Sequence, residues 1–318
     1  MARVTHYIRQ IAENPVSATP TGRVLDDALD LSGKMLRPKL LFLCGSFGTQ
    51  FAQHFEQLCI AGAVVELTHL ASLIHDDIVD EAPYRRGKPS LQSKYGKDAA
   101  VYAGDFLLAR GQYRLAAEQL NDAMVRLAQA IEQMCLGEIG QSAGRYSTAV
   151  PAEHYYRNIR GKTAALFRCA CGTGAALGGC TEEDVRLLEQ FGETLGVIFQ
   201  LRDDLLDFTS TKAKEGKQTH KDFLEGIYTL PVLFTLQHPD GASEMLALMQ
   251  KNLLEPLSPA ELHRMEQLVT DCGGIDHTWD EIHRHAADGY ALLDRLPPCG
   301  ATKKLKGMLN QLDTRKSE

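Results

Sequence analysis

The chain has 318 residues, 44% apolar and 24% charged, with 27 glycines and 12 prolines, a make-up that suits a globular enzyme and excludes a disordered or collagen-like polymer. Thirty-four basic against 41 acidic residues give a net charge of −7, so a general polyanion binder is excluded and no nucleic-acid partner is expected. The eight cysteines form no CxxC pair and no run of 18 residues lacks charge, which predicts reduced thiols, a cytoplasmic location and no transmembrane or signal segment.

From Pro38 onward apolar residues recur every three or four positions rather than every second, a period that predicts helices and almost no strand. Long helices are expected over 52–80, 98–119, 123–142 and 182–208. Breakers separate them at Pro83, Gly87 and Pro89, at Pro151, at Gly178 and Gly179, over 239–241 and 256–259, and at Gly273 and Gly274. Segments 61–65 and 164–179 are apolar almost all round, as in helices at the centre of a large bundle. No stretch reads as an interdomain linker. The expectation is therefore all-α, a single large antiparallel helix bundle in one domain, 1–318, with a basic tail over 303–318 that frays.

Chemistry concentrates on two of these helices. Asp76, Asp77 and Asp80 share their i, i+1, i+4 spacing with Asp203, Asp204 and Asp207. On a helix the outer two of each trio lie about 6 Å apart on one face, and like charges at that spacing destabilise it. One such trio would suit a solvated helix end; two, each preceded by an apolar helix, point to a cation. All-oxygen ligation favours Mg²⁺, which keeps waters and shares its coordination with substrate phosphates. Cations for a phosphate stand beside glycine or loop signals: Lys34 and Arg37, Arg85, Arg86 and Lys88, then Lys162, with Arg202, Lys217 and Lys221 farther on. The glycines at 172, 174 and 178 imitate a dinucleotide fingerprint, but no strand precedes them, so they read as close helix packing. His277, His283 and His285 read as solvated, since 283 and 285 do not share a helix face. His75 reads as a hydrogen-bonded structural residue.

Nine segments, at 34–38, 66–69, 72–80, 85–89, 104–105, 137–141, 162–163, 199–207 and 229–231, resemble the ordered motifs of the trans-isoprenyl diphosphate synthases, most closely the medium- and long-chain polyprenyl (hexaprenyl-, heptaprenyl- and octaprenyl-type) enzymes. The similarity spans about residues 30–235. It implies a helix bundle around a deep central cavity, and a transferase joining isopentenyl diphosphate to an allylic diphosphate (dimethylallyl, geranyl or farnesyl). It further implies a homodimer or a heteromer, with transient membrane contact for product release.

By the same resemblance Asp76, Asp80 and Asp203 ligate Mg²⁺, about three ions with bound diphosphate, and Asp77, Asp204 and Asp207 act as ligands or support them. Arg85, Lys162 and Lys217 would hold the allylic diphosphate. Lys34, Arg37, His69 and Arg86 would hold isopentenyl diphosphate, with Thr163 and Gln200 near the allylic cation. One departure is Ile227, where many members carry lysine.

A tail anchored at Asp76 and Asp80 is expected to run back past Ala71, then Thr68 or Leu67, then Val64, about 5 Å deeper per turn. In the family an aromatic residue five before the first Asp stops the tail; here that position is Ala71, followed by Ser72, and no insertion separates Asp77 from Asp80. A product of about C30–C40, such as a quinone side-chain precursor, is expected where no bulky ring blocks the path, with farnesyl or geranylgeranyl diphosphate as the alternative. A floor at Met134 has no fixed place in the sequence. A terpene cyclase would lack the second DDxxD, and a non-catalytic subunit would have lost one of the two.

Overall fold

A computed structural model describes residues 1–13, 19–30, 33–209 and 220–315; Ser32 and Lys217 lie outside the described residues. In chain order the helices are α1 (Ala2–Ala12), α2 (Pro20–Leu29), α3 (Leu36–Gly45) and α4 (Phe55–Val79), followed by a hairpin of β1 (Tyr84–Arg85) and β2 (Lys88–Pro89). Then come α5 (Leu91–Tyr95), α6 (Lys97–Ala117), α7 (Asn121–Ala143) and α8 (Ala152–Ile159), and a π-helical turn over Arg160–Ala164 that leads into α9 (Ala165–Gly178). The rest is α10 (Glu182–Thr209), α11 (Lys221–Leu224), α12 (Leu230–Thr235), α13 (Ala242–Leu254), α14 (Pro259–Asp271), α15 (Gly274–Asp294) and α16 (Gly300–Asp313). The four long helices fall close to their predicted bounds because each is an uninterrupted 3.6-period run between breakers. The hairpin, antiparallel with Tyr84 opposite Pro89, was read only as a loop of breakers.

The chain divides into two compact units. The first comprises Met1–Gln129, Leu166–Glu189 and Pro297–Thr302. Its centre is α4, apolar on every side, with Leu58, Val64, Leu67 and Ala71 buried beside Leu40, Leu107 and Phe167. By length and composition α4 is the one described helix able to cross a membrane, yet most of its apolar window is buried inside this unit, as a core helix requires. The small residues of α9 serve close packing: a side chain at Gly174 would strike the Leu41 carbonyl of α3, and one at Gly178 the carbonyl of Gly45.

The second unit comprises Ala130–Ala165, Gln190–Leu296 and Lys303–Glu318. Phe191, Ile198, Leu201, Met245, Met265, Ile282 and Leu293 fill its core. The expected fraying tail is instead the body of α16, because Leu305 and Leu309, one turn apart, are fully buried; residues 316–318 lie outside the described residues. Two of the histidines expected in solvent are not there: His285 is buried with its ring 5.9 Å from that of Tyr156, and His277 stacks on Phe234 at 4.0 Å. All eight cysteines are free thiols, five of them buried, in keeping with their apolar surroundings.

Candidate active site

The first aspartate trio closes α4. Asp80 caps the helix, its N–H bonded to the Asp76 carbonyl at 2.9 Å, and both side chains remain partly exposed. Asp77 turns inward, 1% exposed, because its position lies about 100° round the helix from Asp76. There Arg85 meets it, Nε donating to Oδ1 at 2.8 Å with Nη2 on the same oxygen, while Oδ2 is buried with no hydrogen-bond partner. The hairpin makes this return: Arg86 at φ +53° and Gly87 at φ +78° reverse the chain so that Arg85 comes back over the helix end. Arg85, expected on the allylic diphosphate, thus also neutralises Asp77. His75 lies 3.3 Å from the Val101 carbonyl and 3.5 Å from Asp105, and its ring fills the space a side chain at Gly104 would need.

Beside that trio the same unit gathers Arg37, Arg86 and His69 around α4. Arg37, in the first turn of α3, lies 4.5 Å over the Phe167 ring, and burial lowers its pKa to about 10. Burial first, then Arg37, Arg86 and Arg85, push His69 down to about 2, so its imidazole is neutral at any working pH. Lys34 is exposed on the approach to α3.

The side chains of the expected tail face at Ala71, Thr68, Leu67 and Val64 are buried. Ala71 is 0% exposed, Val64 packs where Gly111 of α6 leaves no side chain, Leu67 is buried, and the Thr68 hydroxyl donates to the Val64 carbonyl at 3.0 Å. Five residues at 100° each carry Ala71 about 140° away from Asp76, into the helix packing. Four and seven residues bring Ser72 and His69 back into line with Asp76. Ser72 is partly exposed, its hydroxyl donating to the His69 carbonyl at 2.8 Å.

The second trio, in the other unit, repeats the pattern with different partners. Asp203 is exposed and Asp207 half-buried, while Asp204 is 2% exposed. Asp204 accepts from the Tyr155 hydroxyl of α8 and from Gln200 Nε2 at 2.8 Å; Thr163 in turn donates to Gln200 Oε1 at 2.6 Å. Thr163 and Gln200, expected near the allylic cation, therefore form one chain of hydrogen bonds ending on Asp204. Burial raises Asp204 to about 7, helped by the charge of Asp222.

Lys162 in the π turn is ion-paired to Glu138 of α7 at 2.9 Å. Gly137 permits this approach, since a side chain there would strike the Lys162 amide and, at 2.7 Å, the Asn158 carbonyl. Three residues of this site had no role in the sequence reading: Tyr155, Glu138 and Asp222. Asp222 is raised to about 7 by burial and by the charges of Asp207 and Asp203. Glu138 stood in a recognised motif, but Tyr155 and Asp222 carry no spacing that ties them to Asp204 or Asp207.

Arg202 and Lys221 are not turned to the site as free cations. Arg202 donates to the carbonyls of Leu312 and Thr314 at 2.8 and 2.9 Å and lies 4.7 Å over Trp279, so it holds the end of α16. Lys221 pairs with Glu225 at 3.3 Å. Where lysine was expected, Ile227 uses its backbone N–H on the Asp222 carbonyl at 2.8 Å.

Hard cations suit these donors. Each trio offers an outer carboxylate pair one turn apart, and Asp207 Oδ2 is buried with no hydrogen-bond partner. Among the described residues no three His, Cys, Asp or Glu side chains converge into a metal cage of their own.

A family model for polyprenyl synthetase matches residues 20–264. The heptaprenyl diphosphate synthase component 2 of Bacillus subtilis (strain 168) is 36% identical over 288 residues, 91% of this chain and 80% of that protein. Among solved structures, heptaprenyl diphosphate synthase from Staphylococcus aureus superposes with a TM-score of 0.89 at 28% identity, covering 99% of this chain and 97% of that one. Polyprenyl synthase from Caulobacter crescentus CB15, solved with calcium and isoprenyl diphosphate, gives 0.88 at 28% identity over 100% and 95% of the two chains. With two DDxxD helices lying inside the matched span, the chain belongs to the polyprenyl synthetase family and is a prenyltransferase, a polyprenyl diphosphate synthase with the all-α isoprenoid synthase fold.

Proposed function

We propose that the enzyme condenses isopentenyl diphosphate with an allylic diphosphate, in a Mg²⁺-dependent reaction, to an all-trans-polyprenyl diphosphate of about C30–C40 that supplies quinone side chains, the open Ser72 position leaving room for a long tail. The observation that carries this reading is the pair of DDxxD helices, each with its inner aspartate buried against donors of the protein and its outer two aspartates one turn apart on the more exposed side. Asp76, Asp80 and Asp203 would hold Mg²⁺, which when bound stabilises the negative charge on the departing pyrophosphate. Arg85, Lys162 and Lys217 bind the allylic diphosphate. Lys34, Arg37 and Arg86 bind isopentenyl diphosphate, with neutral His69 as a hydrogen-bonding rather than a charged contact. No protein nucleophile is required; the isopentenyl double bond attacks the allylic carbon as its C–O bond ionises, and pyrophosphate takes the final proton. Apolar helix faces beside the carboxylates exclude water that would quench the cation.

The reading treats 1–318 as one catalytic domain, working in the cytoplasm as a homodimer with brief membrane contact at product release. A second reading comes from the Bacillus subtilis relative, whose name includes "component 2": the chain works only with a partner subunit. Purified protein incubated with Mg²⁺, farnesyl diphosphate and isopentenyl diphosphate, followed by chromatography of the dephosphorylated products, tests both. Products longer than C20 that vanish with chelator support the first reading. No product from folded protein alone favours the partner-dependent one, and products that stop at C15 or C20 overturn the long-chain assignment.

A further inference from the structure

Glu66 lies on α4 one turn before His69 and is 4% exposed, a carboxylate inside the most apolar helix of the chain. A buried carboxylate persists there only if opposite charge and hydrogen bonds replace its water. Three groups do so. The Gly33 backbone N–H donates to it, and Arg37 and Arg86 both lie within electrostatic reach. The Arg86 guanidinium rests against the Gly33 backbone: a Cβ at 33 would stand 2.5 Å from Nη2 and 2.6 Å from Nη1. Arg37 is fixed on its other side by the Phe167 ring, and its Nε is buried with no hydrogen-bond partner. Arg86 and Met35 both adopt the left-handed backbone, at φ +53° and +55°, a strained conformation for non-glycine residues that surrounding contacts must hold.

Arg37, half-buried, and Arg86, exposed, carry like charges that repel, and one buried carboxylate within electrostatic reach of both offsets part of that repulsion. Resting on the diphosphate reading above and deepening it, we propose that Glu66 is a positioning residue that holds Arg37 and Arg86 as a matched pair for the diphosphate of isopentenyl diphosphate. It touches no reacting atom. The sign of its effect discriminates between two physical roles. If Glu66 merely adds negative charge near an anion, its neutralisation tightens binding; if it orders the arginines, neutralisation weakens binding.

The test is Glu66→Gln, which keeps the shape and removes the charge. The expected result is a KM for isopentenyl diphosphate raised about tenfold, with kcat and the KM for the allylic substrate within about twofold. Glu66→Asp should recover part of the loss. In an Arg37→Ala background Glu66→Gln should add clearly less than its effect in the wild type, because one of its two targets is gone. A folded Glu66→Gln with an unchanged or lowered KM overturns the proposal, as does a fully additive loss in the double variant or an equal rise in both KM values. If wild-type protein alone makes no product, the partner-dependent reading accounts for the missing turnover, and calorimetric titration of isopentenyl diphosphate into wild type and Glu66→Gln then decides. Roughly tenfold weaker binding supports positioning, and equal or tighter binding refutes it.

Discussion

The two DDxxD helices carry the same three carboxylates at the same spacing, yet they bury the inner one by different means. On α4, Asp77 is met by a cation, Arg85, brought back by the hairpin that follows the helix. On α10, Asp204 is met by a phenol and an amide, Tyr155 and Gln200, and has Asp222 as a further acid near it. At the first helix end the inner carboxylate is thus matched by a full positive charge. The second sets Asp203 and Asp207 within electrostatic reach of the buried Asp222, with Lys162, already ion-paired to Glu138, as the cation near it. Identical motifs therefore do not imply identical electrostatics: the outer carboxylates follow from the spacing, and the neutralising partners from whichever element packs behind.

The largest expected effect tests what the helices share. Asp76→Ala and Asp203→Ala should each lower kcat by about three orders of magnitude or more with an unchanged far-ultraviolet circular dichroism spectrum, since each removes a carboxylate acting on the ionisation step. Near-normal turnover in either one would break the symmetry and leave a single functional cluster.

Next in size is what separates them. Arg85→Ala strands a buried carboxylate without its cation and should cost about 3–5 kcal/mol in chemical denaturation. Tyr155→Phe removes one neutral donor and should cost about 1–3 kcal/mol. Equal costs would mean that the inner aspartates are neutralised alike after all.

Product length sharpens the comparison further. Four residues before the first Asp, α4 has Ser72 and α10 has the aromatic Phe199. Ser72→Phe should shift products to farnesyl and geranylgeranyl lengths while the first condensation continues. Ala71→Phe should instead destabilise by about 1–3 kcal/mol or more, since Ala71 has no free space around it. Chromatography of dephosphorylated products and thermal melts read the two outcomes, and the opposite pattern would restore the Ala71 face as the tail path.

The smallest effect lies behind Tyr155. Its neighbour Tyr156 donates to Glu281 at 2.6 Å, and Glu281 is pulled from its ordinary value near 4.5 to about 2, chiefly by hydrogen bonding to Arg284. A folded-state pKa below the unfolded value means that this stability is present above about pH 4.5 and is lost as pH falls toward 2. Glu281→Gln should cost about 1 kcal/mol at pH 7 after allowance for solvent screening, and nothing at pH 2. A pH-independent cost would make the contact one of packing rather than charge.

The periodicity, the breakers and the doubled acidic spacing were readable along the chain because each is a local property. Helix α4 ends where Asp80 caps it, α14 begins at Ser258 with its capping box, and the apolar run of α9 needs a small-residue face, all within a few residues of sequence. Two expectations failed for one shared reason. Arg202 faces α16 rather than the aspartates, and 303–313 is a packed helix rather than a loose tail. Each depends on which neighbour lies across from the residue, and the neighbour comes from a distant part of the chain.

The sequence by itself determined that the chain is helical, where its long helices run, and that two outer carboxylate pairs would stand at two helix ends, because 3.6 residues per turn converts spacing directly into faces. Only the tertiary structure decided what neutralises the inner aspartates, that Thr163 and Gln200 form a hydrogen-bond chain to Asp204, and that Glu66 lies within electrostatic reach of both Arg37 and Arg86. Those choices depend on burial and on charge brought together over long sequence separations, and a buried charge takes its partner from what packs against it rather than from what precedes it in the chain.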